Sequence, residues 1–183
     1  EISCSLVGSE MCIRDRRVPI ADTDNVEIVH DKLMMLGGKL VVETVDAILN
    51  GVVKPVPQEE MAIVGELRPA PKIFKETCRI DWKQPVKKVY DFIRGLSPYP
   101  AAWTEIVSPE GVRTALKIYQ AEKRPDAHEL PVGTIRTDRK SYIDIAVEDG
   151  YLRLLSVQLA GKKRLPVTDF LNGFKQIGEY KVD

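Results

Sequence analysis

Tyr142-Ile143-Asp144-Ile145-Ala146-Val147-Glu148-Asp149-Gly150-Tyr151-Leu152-Arg153-Leu154-Leu155-Ser156-Val157 decides the fold. Two alternating runs flank Asp149-Gly150. An Asp-Gly pair in that position signals a two-residue hairpin, because both turn positions favour positive φ. Outward from the hairpin the same period continues. Thr114–Tyr119 alternates, and Gly133–Asp138 follows a Pro-containing loop at 124–132. The pattern is strand-like from Trp103 onward. Downstream, Pro166 and Thr168-Asp169 open a short final helix over 167–175. Upstream, Pro85 suits the first position of a helix whose apolar face is Val86, Val89, Tyr90 and Ile93. Gly95 is expected to end it, and Ser97-Pro98-Tyr99-Pro100 makes a rigid turn. Trp82 reads as a core anchor.

Five or so short strands with flanking helices suit a small open barrel of the OB type over residues 73–183. The chain ahead of it is different. Val18-Pro19-Ile20 reads as a strand end. A helix follows over 24–50, with Asp24 as cap and Glu27 completing a capping-box spacing. Val26, Val29, Leu33, Leu36 and Leu40 form one apolar stripe, extended by Val41, Val45 and Ile48. Gly51 suits a left-handed C-cap. This helix cannot bury its stripe alone, so residues 17–51 read as the end of another domain. Pro55, Pro57, Pro69 and Pro71, with Gln58-Glu59-Glu60 between them, make 52–72 a linker. Residues 1–16 are set aside as non-native. Ser5–Arg16 shows no period and resembles translated sequencing-adapter read-through.

Twenty-seven basic and 27 acidic residues cancel, so net charge identifies no partner. Distribution says more. Residues 22–46 carry six acids against Lys32 and Lys39, whereas residues 68–94 carry eight bases against three acids. Such asymmetry can mark a nucleic-acid-facing surface, though on composition alone a solvated face is the commoner reading. Cys4, Cys12 and Cys78 form neither a disulfide framework nor a zinc spacing, which favours a reducing cytoplasm. No apolar run is long enough for a membrane span.

Two segments carry a family resemblance. Ile93–Trp103 is one. Gln158–Arg164 with Asp169-Phe170-Leu171-Asn172-Gly173-Phe174 is the other. With Ile80-Asp81-Trp82 and the 24–50 helix, they resemble the methionyl-tRNA formyltransferase family over roughly residues 17–183. The resemblance implies an α+β architecture. The last strand and helix of a truncated α/β, Rossmann-like formyltransferase domain would precede an OB-like C-terminal barrel. It implies a parent transferase that moves a formyl group from 10-formyltetrahydrofolate to the amino group of methionyl-initiator tRNA. The family's catalytic Asn, His and Asp map to nothing here. No catalytic, cofactor-binding or metal residue is therefore assigned, and the chain alone is expected to be inactive and to bind no cofactor. It would position the tRNA, as a cytoplasmic monomer without membrane or metal.

The tRNA-binding candidates are Lys162, Lys163, Arg164, Arg94, Lys72, Lys75, Arg79 and Lys83. Three adjacent cations on a loop held by Gly161 can meet phosphate oxygens, releasing counterions. A lone triplet of this kind is more often a solvated turn; the family resemblance of Gln158–Arg164 and the following Asp169-Phe170-Leu171 turns the balance toward RNA. Arg94 either meets RNA or pairs with Asp91 or Asp81, the pair being the leading reading. Lys72, Lys75, Arg79 and Lys83 individually read as solvated, while as a group they are expected to form a phosphate track. Phe92, Tyr99 and Trp103 could stack bases, with core packing favoured for Phe92 and Trp103. His30 and His128 lack a second ligand or nucleophile, and Gly37-Gly38-Lys39 lacks the spacing of a P-loop. The rival readings are the C-terminal domain of another folate-dependent formyltransferase, a free-standing OB-type RNA-binding module, and a purely structural or dimerisation domain.

Overall fold

Asn25, rather than Asp24, opens the first helix, α1 (Val26–Leu49). Its side-chain oxygen accepts the Ile28 N–H at 2.9 Å, a bond that satisfies one of the free donors of the first turn. Asp24 is buried instead, accepting the Ala21 N–H at 2.8 Å and pairing with Lys32 at 2.5 Å. The computed structural model describes residues 2–6, 14–54 and 69–183. Two compact units divide the chain, Glu1–Lys72 and Ile73–Asp183.

In the first unit, β1 (Ile2–Leu6) and β2 (Arg14–Val18) pair antiparallel, Ile2 opposite Val18 and Leu6 opposite Arg14. Pairing arises here although Ser5–Arg16 carries no alternating signal. Helix α1 buries Val29, Leu40 and Thr44, with Leu33, Leu36 and Ala47 half-buried along the same line. Val41, Val45 and Ile48, expected on that stripe, are exposed. Each lies one residue, about 100° of rotation, past Leu40, Thr44 and Ala47. Gly51 ends the helix at φ +66°, as its C-cap reading expects. Within the expected linker, Pro55, Pro57 and Gln58-Glu59-Glu60 lie outside the described residues; Pro69 and Pro71 are in irregular backbone.

The second unit begins with a 3-10 turn at Glu76–Cys78 and α2 (Val86–Leu96). Gly95 lies inside α2 and the helix stops at Ser97, one turn of chain before Ala101, whose N–H reaches back to the Leu96 carbonyl at 2.9 Å. Strands β3 (Ala102–Val107), β4 (Arg113–Arg124), β5 (Ile135–Thr137), β6 (Ile143–Val147) and β7 (Gly150–Leu159) follow. The two-residue β8 (Leu165–Pro166), helix α3 (Val167–Gly173), a 3-10 turn at Lys175–Glu179 and β9 (Lys181–Val182) complete it.

The antiparallel sheet runs β5-β6-β7-β4-β3-β9, with β8 alongside β7. Its two ends nearly meet. The Val182 N–H donates to the Gly133 carbonyl at 3.0 Å, and Thr134 bridges Lys181. A Cβ on Gly133 would stand 2.8 Å from the Val182 carbonyl oxygen, and its φ is +85°. Glycine is therefore what lets the barrel-like sheet close at this seam. Ile118, Ile143, Ile145, Leu152 and Leu154 fill the interior, with α2 and α3 packed over them through Val89, Ile93 and Leu171. Trp82 is the anchor its sequence suggests: it is buried, and its indole N–H donates to Thr104 Oγ1 at 2.9 Å.

The central hairpin differs from its sequence reading. Val147 pairs with Gly150, so the turn residues are Glu148 and Asp149. Neither Asp149 nor Gly150 has positive φ. Glycine is required at 150 for another reason: a Cβ there would lie 2.4 Å from the Arg124 carbonyl oxygen.

Candidate nucleic-acid interface

The register of three strands builds this face. Trp103 on β3 is opposite Lys117 on β4, and Lys117 is opposite Gln158 on β7. Because side chains alternate along a strand, Leu116 and Ile118 point into the core while Lys117 points out. Tyr119 sits at a register irregularity of β4. Its hydroxyl donates to Gln158 Oε1 at 2.6 Å, and the Gln158 amide donates to the Lys162 carbonyl at 2.8 Å.

That last bond ties the face to the basic loop. Gly161 turns the chain at φ +71°, and the Lys162 N–H returns to the Leu159 carbonyl at 2.9 Å. Lys162 and Lys163 are exposed, and their ammonium groups take part in no hydrogen bond or ion pair among the described residues. Arg164 is held differently. Its Nε donates to Ser156 Oγ at 2.8 Å and its guanidinium lies 4.4 Å from the centroid of the Tyr119 ring. Of the triplet, two cations project and the third braces the loop.

A groove of about 470 Å³ lies beside the row. Trp103, Lys117, Lys75, Tyr99 and Gly161 all line it. The structure thus brings Lys75 to the basic loop although 86 residues of sequence separate it from Gly161. Trp103 is only half-buried. Its indole donates to the Lys75 carbonyl at 2.7 Å, with the Lys75 ammonium and Arg79 guanidinium 5.6 and 5.7 Å from the ring centroid. Such cations over an indole face gain from the ring quadrupole. Tyr99 is 84% exposed, while Phe92 packs against the core.

The remaining candidates do not line this groove. Arg79 is paired with Glu105 at 3.4 Å and Asp183 at 3.3 Å. With exposed Lys83 it borders a second depression, which also contains Asp81 and Asp183. Arg113 binds both Glu105 and Asp183; both bonds raise the Arg113 pKa, and the bond from Arg113 lowers that of Asp183. Arg94 pairs with Asp91, Nε to Oδ1 2.7 Å. Partial burial pushes the Asp91 carboxyl up, but the bonds from Lys87 and Arg94 outweigh it and leave it below the usual range. Lys72, the last residue of the first unit, is exposed. His30 lies on the surface beside Asp31, and His128 meets the Gly150 carbonyl at 2.8 Å. Among the described residues no His, Cys, Asp and Glu cluster could hold a metal, and no helix is long and apolar enough to cross a membrane.

Lys117 and Tyr119 were not among the sequence candidates. The alternation of Thr114–Tyr119 places both on one face, which is the signal that could have found them.

The fold and this face define a small antiparallel, barrel-like β-domain with a basic and aromatic outer surface. Residues 72–175 match the family described as formyl transferase, C-terminal domain, and the chain belongs to that family. It is 68% identical over 171 residues to the methionyl-tRNA formyltransferases of Bacteroides thetaiotaomicron and Parabacteroides distasonis, covering 93% of this chain and 53% of each relative. The enzyme of the same name from Porphyromonas gingivalis is 39% identical over 160 residues, covering 86% and 49%. The chain thus spans about half the length of the curated relatives it matches. Among solved structures, a variant of HypX from Aquifex aeolicus superimposes with a TM-score of 0.64 at 19% identity, covering 91% of this chain and 28% of that one. HypX in complex with tetrahydrofolic acid gives 0.58 at 20% identity, covering 90% and 28%. At these identities the likeness concerns the fold alone.

Proposed function

We propose that the chain is the tRNA-positioning portion of a methionyl-tRNA formyltransferase acting in translation initiation in the cytoplasm. The observation that carries this reading is the 68% identity over 171 residues to enzymes of that name. Residues 17–51 are the last strand and helix of a Rossmann-like formyltransferase domain, 52–72 the linker, and 73–183 the OB-like tRNA-binding domain. The exposed apolar residues of α1, Met34, Met35, Val42 and Ile48 among them, support an assignment to a larger domain.

In the parent reaction the methionyl amine attacks the formyl carbon of 10-formyltetrahydrofolate. The new C–N bond replaces the bond to the folate nitrogen, and tetrahydrofolate leaves. Residues outside this sequence perform that chemistry. The barrel supplies phosphate contacts, which fix register and orientation without reading much sequence. Lys162 and Lys163 are the foremost of these. Lys75 joins them at the groove, Lys72 and Lys83 add charge of their own outside it, and Arg164, Arg79 and Arg94 contribute charge from braced positions. The molecule works as a monomer and needs no metal.

Incubating this chain with initiator methionyl-tRNA and 10-formyltetrahydrofolate tests the reading. The expected result is tRNA binding at low salt with no formyl transfer, and competitive inhibition of an intact methionyl-tRNA formyltransferase as the chain sequesters its tRNA. Absence of tRNA binding, or turnover by the chain alone, would overturn it.

A further inference from the structure

We infer that the groove at Trp103 receives one unpaired nucleobase, with its flanking phosphates, from a single-stranded RNA segment. The inference rests on the proposed RNA-binding reading and names what this part of the face takes. At about 470 Å³ the groove has the volume of a nucleotide-sized site. Its apolar walls include Ile73, Phe74 and Tyr99, all more than half exposed. An aromatic platform open to solvent gains by stacking on a planar base, whatever its sequence. Tyr99 is that platform, since Trp103 already has Lys75 and Arg79 over its ring.

Charge selects the same occupant. Among the described residues, the groove lining includes Lys75 and Lys117 and no carboxylate. Gly161 at its edge leads directly into Lys162 and Lys163. Apolar walls with cations at the rim fit an aromatic ligand attached to an anionic backbone. A base inside a duplex cannot present its face to Tyr99, so the segment is single-stranded.

The test uses the full chain and three probes: a single-stranded adenylate hexamer, an RNA duplex of equal length, and an abasic ribose-phosphate hexamer. Trp103 reports occupancy by fluorescence, against the constant signal of buried Trp82. Tyr99→Ala alters an exposed side chain and should leave the fold intact, which circular dichroism checks. The expected result is preferential binding of the adenylate hexamer with a change in fluorescence. Tyr99→Ala should weaken it about tenfold, the size of one lost base stack, while abasic binding is unchanged. Equal affinity for adenylate and abasic hexamers, or no effect of Tyr99→Ala, would overturn the inference. If tRNA binds but this discrimination is absent, the nucleobase site alone fails. If no RNA binds, the proposed function fails with it. Self-association abolished by Tyr99→Ala, without RNA affinity, would make a second copy of the chain the occupant and also overturn it.

Discussion

The Asp149 carboxylate, on the turn between β6 and β7, accepts the backbone N–H of Val86, the first residue of α2, at 2.6 Å. Residue 85 is proline and offers no side-chain acceptor. A helix whose own sequence lacks a capping side chain is therefore capped across 63 residues by the central hairpin. The carboxylate also sits at the positive end of the helix dipole. Asp149→Ala is expected to destabilise the chain by about 1 kcal/mol. Asp149→Asn, which keeps the acceptor, should cost less. Urea denaturation of the three proteins checks the order.

Two glycines should respond in opposite directions to alanine. Gly150→Ala places a methyl against the Arg124 carbonyl oxygen and Pro125, backbone atoms that cannot swing aside. A cost of about 1–3 kcal/mol is expected. Gly95 lies exposed within α2, and its added Cβ meets nothing within 4 Å. There, Gly95→Ala should stabilise by about 0.5–1 kcal/mol through helix propensity. Thermal melts of the two variants should move apart from the parent.

Asp144 is fully buried on β6 between Arg136 on β5 and Arg153 on β7, a cross-strand row of three. Arg153 binds it with two bonds, of 2.7 and 3.0 Å, and Arg136 with one of 2.9 Å. Both guanidinium groups are held above their usual pKa, first by hydrogen bonding to this carboxylate. Arg153→Met leaves a buried carboxylate with half its partners, and a loss of about 3 kcal/mol is expected. Restoration of stability by adding Asp144→Leu to Arg153→Met would support the burial argument; an additive loss would count against it.

Acid should destabilise the barrel through specific carboxylates. Asp138 is driven well below the usual range, first by the Ser141 hydroxyl and then by backbone N–H groups of Ser141, Lys140 and Tyr142. Asp183 is lowered chiefly by Arg113, while Lys87 and Arg94 lower Asp91 against the effect of burial. Each has a folded pKa below its unfolded value near 3.9. The stability they contribute is complete above about pH 4 and is lost as pH falls through the folded values. Melting temperatures should be flat from pH 7 to about pH 5 and decline below about pH 4. Asp138→Asn should reduce the steepness of the acid limb.

Much of the barrel is legible because β4, β6 and β7 alternate plainly and Trp82 precedes a good helix. What escapes the sequence depends on contacts made at a distance. The Asp149-Gly150 pair signals a turn, yet its register is set by β4 approaching Gly150 and by Asp149 reaching α2. Strands β8 and β9 are two residues each, too short to show a period, and β9 exists because Gly133 allows the sheet to close on Val182. For the proposed binding face, Lys162 and Lys163 are readable as a charged loop. The alternation of Thr114–Tyr119 places Lys117 on the outer face, but its role there emerges only when its neighbours Trp103 and Gln158 are known. Arg164 reads as a third free cation, whereas Ser156 and Tyr119 hold it.

The most direct test is the salt dependence of initiator-tRNA affinity for this chain and for Lys162→Ala with Lys163→Ala. Two lysines that each neutralise a phosphate should weaken binding at every salt concentration and reduce the slope of log K against log salt by about 2. An unchanged slope with unchanged affinity would contradict the assignment of this loop to the tRNA backbone.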